Sequence, residues 1–179
     1  MAFLEKIPVF GGLVNCNCEN HTEAIKELLS TLSIALSPIY LGAFVFFCMD
    51  KDNIGYWAIL NKALQNGELM IYCTSLLAPV YYMAMSDRYP MTVFPKKLSS
   101  IIIATIILMF TIAVFVIQRG GFLFNETVRY HISIGFFIAS LVILYVNMVY
   151  DKSRMADYIL HAFQQDEKDF ASQLGKHRR

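Results

Sequence analysis

The first group of residues able to do chemistry is Cys16-x-Cys18-x-x-His21. Two thiols and an imidazole suit zinc. A structural zinc site, however, needs a fourth ligand and Cys-x₂₋₄-Cys spacing, and this stretch has neither. Reduced, unbound cysteines and no metal or other cofactor are therefore expected. Cys48 and Cys73 both fall near one end of apolar runs, where a disulfide is conceivable, but spacing alone does not bring two cysteines together. Inside the apolar runs, Ser33, Ser37, Thr74, Ser75 and Asn147 are the candidates for a polar role. Hydroxyls and amides of this kind either line a pore or bond neighbouring helices. Beyond the runs, Lys96, Lys97, Lys176, Arg178 and Arg179 form clusters that phosphate could recognise. No nucleophile motif, metal-binding His pair or glycine-rich phosphate loop is present, so an enzyme is not expected.

The elements that hold these residues are organised around a repeated motif. Leu36-Ser37-Pro38-Ile39-Tyr40 returns 41 residues later as Leu77-Ala78-Pro79-Val80-Tyr81, each inside an apolar run. Proline cannot donate a backbone N–H and clashes with the carbonyl four residues back. In a bilayer that freed carbonyl needs a partner within the protein. Pro38 and Pro79 are thus expected to kink their helices and to serve as hinges. Ser33 and Ser37 stand ready to repair the first break, and Thr74 and Ser75 precede the second.

Composition places these runs in a membrane. Of 179 residues, 56% are hydrophobic and only 16% charged, against the ~25% charged of an ordinary soluble domain. Mean hydropathy is +0.48. Net charge is +1, so no bulk basic character points to nucleic acid. The first residues, with Pro8, Gly11 and Gly12 breaking the apolar stretch and Asn15 preceding Cys16, match neither a cleavable signal nor a lipoprotein site.

The expected fold is all-α and integral to the membrane. Residues 1–29 form an N-terminal segment in which Asn20 caps a helix with Glu23 in capping-box position. Four spans follow at 30–48, 68–85, 98–117 and 132–150, each near the ~20 residues a crossing requires. Between the first two, Ile54, Trp57, Leu60 and Leu64 recur at helical spacing and predict a short interfacial helix. The fourth span carries Gly135 and Ala139 at small-xxx-small spacing. No ionisable residue lies in any span interior, which argues against ion-coupled transporters and proton pumps.

Lysine and arginine set the orientation. Eleven occur on the side of the two termini and the second loop, four on the other, placing both termini in the cytoplasm. Residues 151–179 then form an amphipathic cytoplasmic helix with Met155, Ile159, Phe163, Phe170 and Leu174 on its apolar stripe. That stripe can dock a partner, a second copy or lipid.

Taken together, Gly67-Glu68-Leu69 leading into Leu76-Leu77-Ala78-Pro79-Val80-Tyr81, and Glu167-Lys168-Asp169-Phe170 before His177-Arg178, give a chain that resembles the small four-span membrane proteins of bacterial anti-phage defence. It looks most like the membrane subunit of Kiwa-type systems, with the channel subunit of Hailong-type systems second. The resemblance implies a homo-tetramer in the inner membrane that works with a cytosolic defence effector. In the Kiwa case the membrane subunit detects infection at the envelope and its partner binds DNA. In the Hailong case the chain is a channel held shut by a single-stranded DNA made by its partner. The thin basic content of the cytoplasmic face favours the sensor over the nucleic-acid-gated channel. A membrane scaffold without a switch is the third reading.

Overall fold

The structure, a computed structural model, describes residues 16–49, 55–65, 69–86, 88–89, 92, 94, 97–120 and 126–177. Five helices account for nearly all of them: α1 (Cys18–Met49), α2 (Tyr56–Gln65), α3 (Leu69–Met85), α4 (Lys97–Arg119) and α5 (Glu126–His177). Three of them contain segments long and apolar enough to cross a membrane: Cys18–Met49, Lys97–Ile117 and Tyr130–Lys168. This is the pattern of a multi-pass membrane protein. α3 is apolar but shorter, at 17 residues.

α3 sits at the centre. Its leucines Leu76 and Leu77, with Met70, Cys73 and Val80, are fully or almost fully buried. Leu76, Leu77 and Val80 meet Leu144, Val146 and Val149 of α5 and Ala104 of α4 in the main core, with Ala24 of α1 and Phe94 of the α3–α4 connection completing it. A smaller second core joins α1 to α2 through Ile39, Ala43 and Leu60. α2 is the short helix that the Trp57–Leu64 spacing predicts; Trp57 is 75% exposed while Leu60 is buried. Gly135 is exposed and has open space where a Cβ would stand, while Ala139 is half-buried.

Two expectations need correction. α1 begins at Cys18, with the Asn17 carbonyl accepting from the His21 amide at 3.4 Å, so Asn20 and Glu23 lie inside the helix rather than capping it. Asn17 is an equally good capping residue three positions earlier, with acidic Glu19 in the first turn. Next, 132–150 and the amphipathic tail are not two elements. They are one uninterrupted 52-residue helix, about 78 Å long at 1.5 Å per residue. No proline or glycine stands between Ser140 and Leu174 to stop it, and an anchored helix extends far more easily than a new one nucleates. Both prolines lie within their helices, Pro38 in α1 and Pro79 in α3.

Candidate functional site

The proline sites differ in how they are repaired. The carbonyl that Pro38 orphans belongs to Ile34, and the Ser37 hydroxyl donates to it at 2.8 Å. Ser33 donates to the Leu29 carbonyl at 2.8 Å. In α3 the orphaned carbonyl belongs to Ser75, but Thr74 and Ser75 both donate to Ile71, at 2.6 and 3.4 Å. Serine therefore answers the first proline and neither hydroxyl answers the second. The two motifs look alike in sequence and differ in hydrogen bonding.

A polar row along α5 escaped the sequence reading. Ser133, Ser140, Asn147 and Arg154 are buried, at 4% exposure or less, and recur every seven residues. A seven-residue step keeps nearly one helix face. Three such steps cover about 31 Å, close to the ~30 Å of a hydrocarbon core. The row faces the inside of the protomer. Ser140 donates to the Phe136 carbonyl at 2.9 Å and Asn147 Nδ2 to the Ile143 carbonyl at 2.7 Å. Asn147 Oδ1 and the Ser100 hydroxyl of α4 are buried without a hydrogen-bond partner. The signal for this row lay in the seven-residue spacing of polar residues in an apolar run.

The row ends in a cluster where α5, the α3–α4 connection and α1 meet. Arg154 lies between Tyr89 and Phe94, its guanidinium carbon 5.4 Å from each ring centroid. Its Nη2 donates to the Thr92 carbonyl at 3.1 Å, and Nη1 stands 3.9 Å from Asp151. Nε and Nη1 have no hydrogen-bond partner. Tyr89 also packs on Tyr158, and Phe94 on Tyr150. One arginine thereby fastens the α3–α4 connection to α5, a contact that the irregular, proline-containing loop gave no periodicity to reveal. Burial pushes the Asp151 carboxyl above its usual range, opposed by the charges of Arg154 and Arg88.

α1 closes the cluster from the other side. Lys152 Nζ pairs with Glu27 at 2.8 Å, which raises the lysine pKa through that hydrogen bond. The pair is partly exposed, so its net worth is about 0–1 kcal/mol. His21 Nδ1 lies 2.8 Å from the Tyr145 hydroxyl. A histidine therefore reaches the fourth apolar stretch from a neighbouring helix, although that stretch has no ionisable residue of its own in its interior. Burial raises the Cys16 thiol pKa, against a hydrogen bond with Ser153.

Cys16, Cys18 and His21 thus have separate surroundings: Cys16 beside Ser153, Cys18 exposed, His21 on Tyr145. No group of three or more His, Cys, Asp or Glu placed to hold a metal occurs among the described residues. None of the four cysteines is in a disulfide, so the conceivable Cys48–Cys73 pair is not formed; Cys48 is exposed while Cys73 is buried and hydrogen-bonded to Ser140.

Beyond Arg154 the apolar stripe of α5 emerges as expected. Met155, Ile159, Phe163 and Phe170 are all exposed, Phe163 at 69%. Leu174 and Lys176 continue the same helix, with side chains outside the described set, and Lys97 opens α4 as an exposed residue. Lys96, Arg178 and Arg179 lie outside the described residues. No family model, curated protein or solved structure matches this chain.

Proposed function

We propose that this chain is a four-span, homo-oligomeric protein of the bacterial inner membrane, acting in anti-phage defence. It senses envelope perturbation and signals to a cytosolic effector through the part of α5 beyond Tyr150. α3 is the second of the four spans: its 17 residues lie at the short end of the working range for a crossing helix. The lysine and arginine asymmetry supports cytoplasmic termini. The defence setting and the tetramer rest on the sequence resemblance. The chain itself performs no catalysis, and nucleic acid is not its favoured ligand.

The observation that carries this reading is the continuity of α5. The same helix lies in the buried core at Leu144 and Val149 and exposes Ile159, Phe163 and Phe170 to solvent. A rearrangement among the spans therefore has a direct structural route to a solvent-exposed apolar stripe. Removing residues 155–179, or changing Phe163 and Phe170 together to serine, should leave the assembly intact and abolish co-purification of the effector. Retained co-purification would sink the docking assignment.

A second reading, a gated channel, is supported by the buried row Ser133–Ser140–Asn147–Arg154. Polar groups at this depth can carry a thread of water when apolar constrictions between them open. Purified protein in liposomes should then pass ions, and Asn147→Leu should reduce the flux by about tenfold, the effect of roughly 1.4 kcal/mol on a barrier. Liposomes that stay silent with any bound nucleic acid removed reject this reading.

A further inference from the structure

The two hydrophobic cores do not merge. Between the small α1–α2 core and the main bundle lies a cavity of about 250 Å³. α1 contributes Leu36 and Ile39 to its wall, α2 Leu60 and Leu64, and α5 Ile134 and Phe137. Its polar character is confined largely to the hydroxyl-bearing residues Tyr40 and Tyr130. The cavity is partly open; an ordered water needs two to four polar partners, and an apolar space of this size has room for a small hydrocarbon group. The space is therefore suited to hydrocarbon rather than water.

Its position says which hydrocarbon. α2 forms one wall and carries the 75% exposed Trp57, the residue type that settles at the membrane interface. α1 exposes Leu41, Phe44 and Val45 close in sequence to the cavity-lining Ile39 and Tyr40. Those residues meet lipid chains if the spans are placed as proposed. The cavity thus sits just inside the interface, between a surface helix and the bundle, where phospholipid acyl chains are the abundant apolar solute. We infer that this cavity is a binding site for one acyl chain of a membrane phospholipid, which completes the packing between the α1–α2 core and the main bundle.

The site rests on the membrane-spanning reading and gives the proposed sensor something to sense. A chain withdrawn from the cavity, as when the bilayer is thinned or stretched, leaves α2 held to α5 across an unfilled space. Interiors packed near crystal density respond to such a gap by rearranging or by losing contacts. α2 and the adjoining part of α1 are then the elements free to shift.

The test uses full-length protein in nanodiscs of phosphatidylethanolamine and phosphatidylglycerol, with a photoreactive diazirine in the middle of the acyl chain. Adducts are expected on Tyr40 and Tyr130 and should persist during a chase with unlabelled lipid that clears adducts from Leu41 and Val45. Filling the space with Ile134→Trp should lower the persistent adducts by roughly tenfold, as the loss of a site with about 1.4 kcal/mol of selectivity would. Leu36→Phe serves as the second filling variant, and the wild-type chase alone decides the matter if neither folds. Cavity adducts that clear as fast as those on Leu41, or that survive filling, would overturn the site. Loss of effector binding with the adducts intact strikes the docking assignment instead.

Discussion

Changing Ala162 to proline should melt residues 163–177, more than half of α5's exposed part, while leaving the bundle folded. Proline at an interior helical position costs about 3 kcal/mol, here by removing the bond to the Tyr158 carbonyl and crowding it. Tyr158 makes the last of the described ring contacts between α5 and the α3–α4 connection. Downstream, residues 163–177 keep only the helix itself for support. A helix of ~12–15 residues without packing is marginal in water, so this stretch stays helical because it extends from an anchored one. Circular dichroism should lose the signal of about fifteen helical residues, and protease should cut near 162. The thermal midpoint of the bundle should not move. Effector co-purification should be lost with Phe163 and Phe170 still present, separating the need for an ordered stripe from the need for its side chains. Unchanged helicity and proteolysis would show that this part of α5 is held by something other than its own continuity.

At Arg154 the expected order of replacements is unusual: methionine should be tolerated better than lysine. The guanidinium is flat, lies between two rings and donates to Thr92, yet two of its nitrogens are buried without hydrogen bonds. Lysine keeps the desolvated charge but offers no plane to stack and no fork, and Arg154→Lys should cost about 2–3 kcal/mol at neutral pH. Methionine fills the gap between the rings with a thioether that packs well on aromatics, and removes the unsatisfied donors; it should cost about 1 kcal/mol. Its cost should depend on pH through Asp151, whose pKa burial already raises and which then loses a compensating cation. A carboxyl with a raised folded pKa favours the native state below its unfolded pKa and loses that contribution as pH climbs through the folded value. Arg154→Met should therefore be nearest to wild type on the acid side and fall away toward neutral pH. Thermal melts across pH check both statements, and a lysine variant more stable than the methionine one would refute the first.

What the sequence revealed followed from periodicity. The apolar runs, the Trp57–Leu64 helix and the stripe from Met155 to Phe170 all announce themselves through three- to four-residue spacing, and the structure has helices in each place. What stayed hidden depended on pairs distant along the chain. Arg154 meets Thr92, 62 positions earlier, and His21 meets Tyr145, 124 positions later; no local pattern encodes such partners. The proline motifs show the same divide. Ser37 was legible as a repair because its acceptor lies three residues away. The equivalent position before Pro79 is Ala78, so similarity between the motifs overstated their equivalence. The seven-residue polar row was legible in principle, but it competes with the stronger 3.6-residue signal of the apolar residues around it.

The unbroken length of α5 has a mechanical consequence. The 27 residues after Tyr150 form an arm of about 40 Å at 1.5 Å per residue. Membrane helices commonly adjust their tilt to bilayer thickness. A change of about 10° in the span, transmitted without bending, would swing the far end of that arm sideways by about 7 Å. That displacement exceeds the rise of a full helical turn, so a change of thickness felt among the spans would reach Phe170 as a movement larger than a side-chain contact can follow.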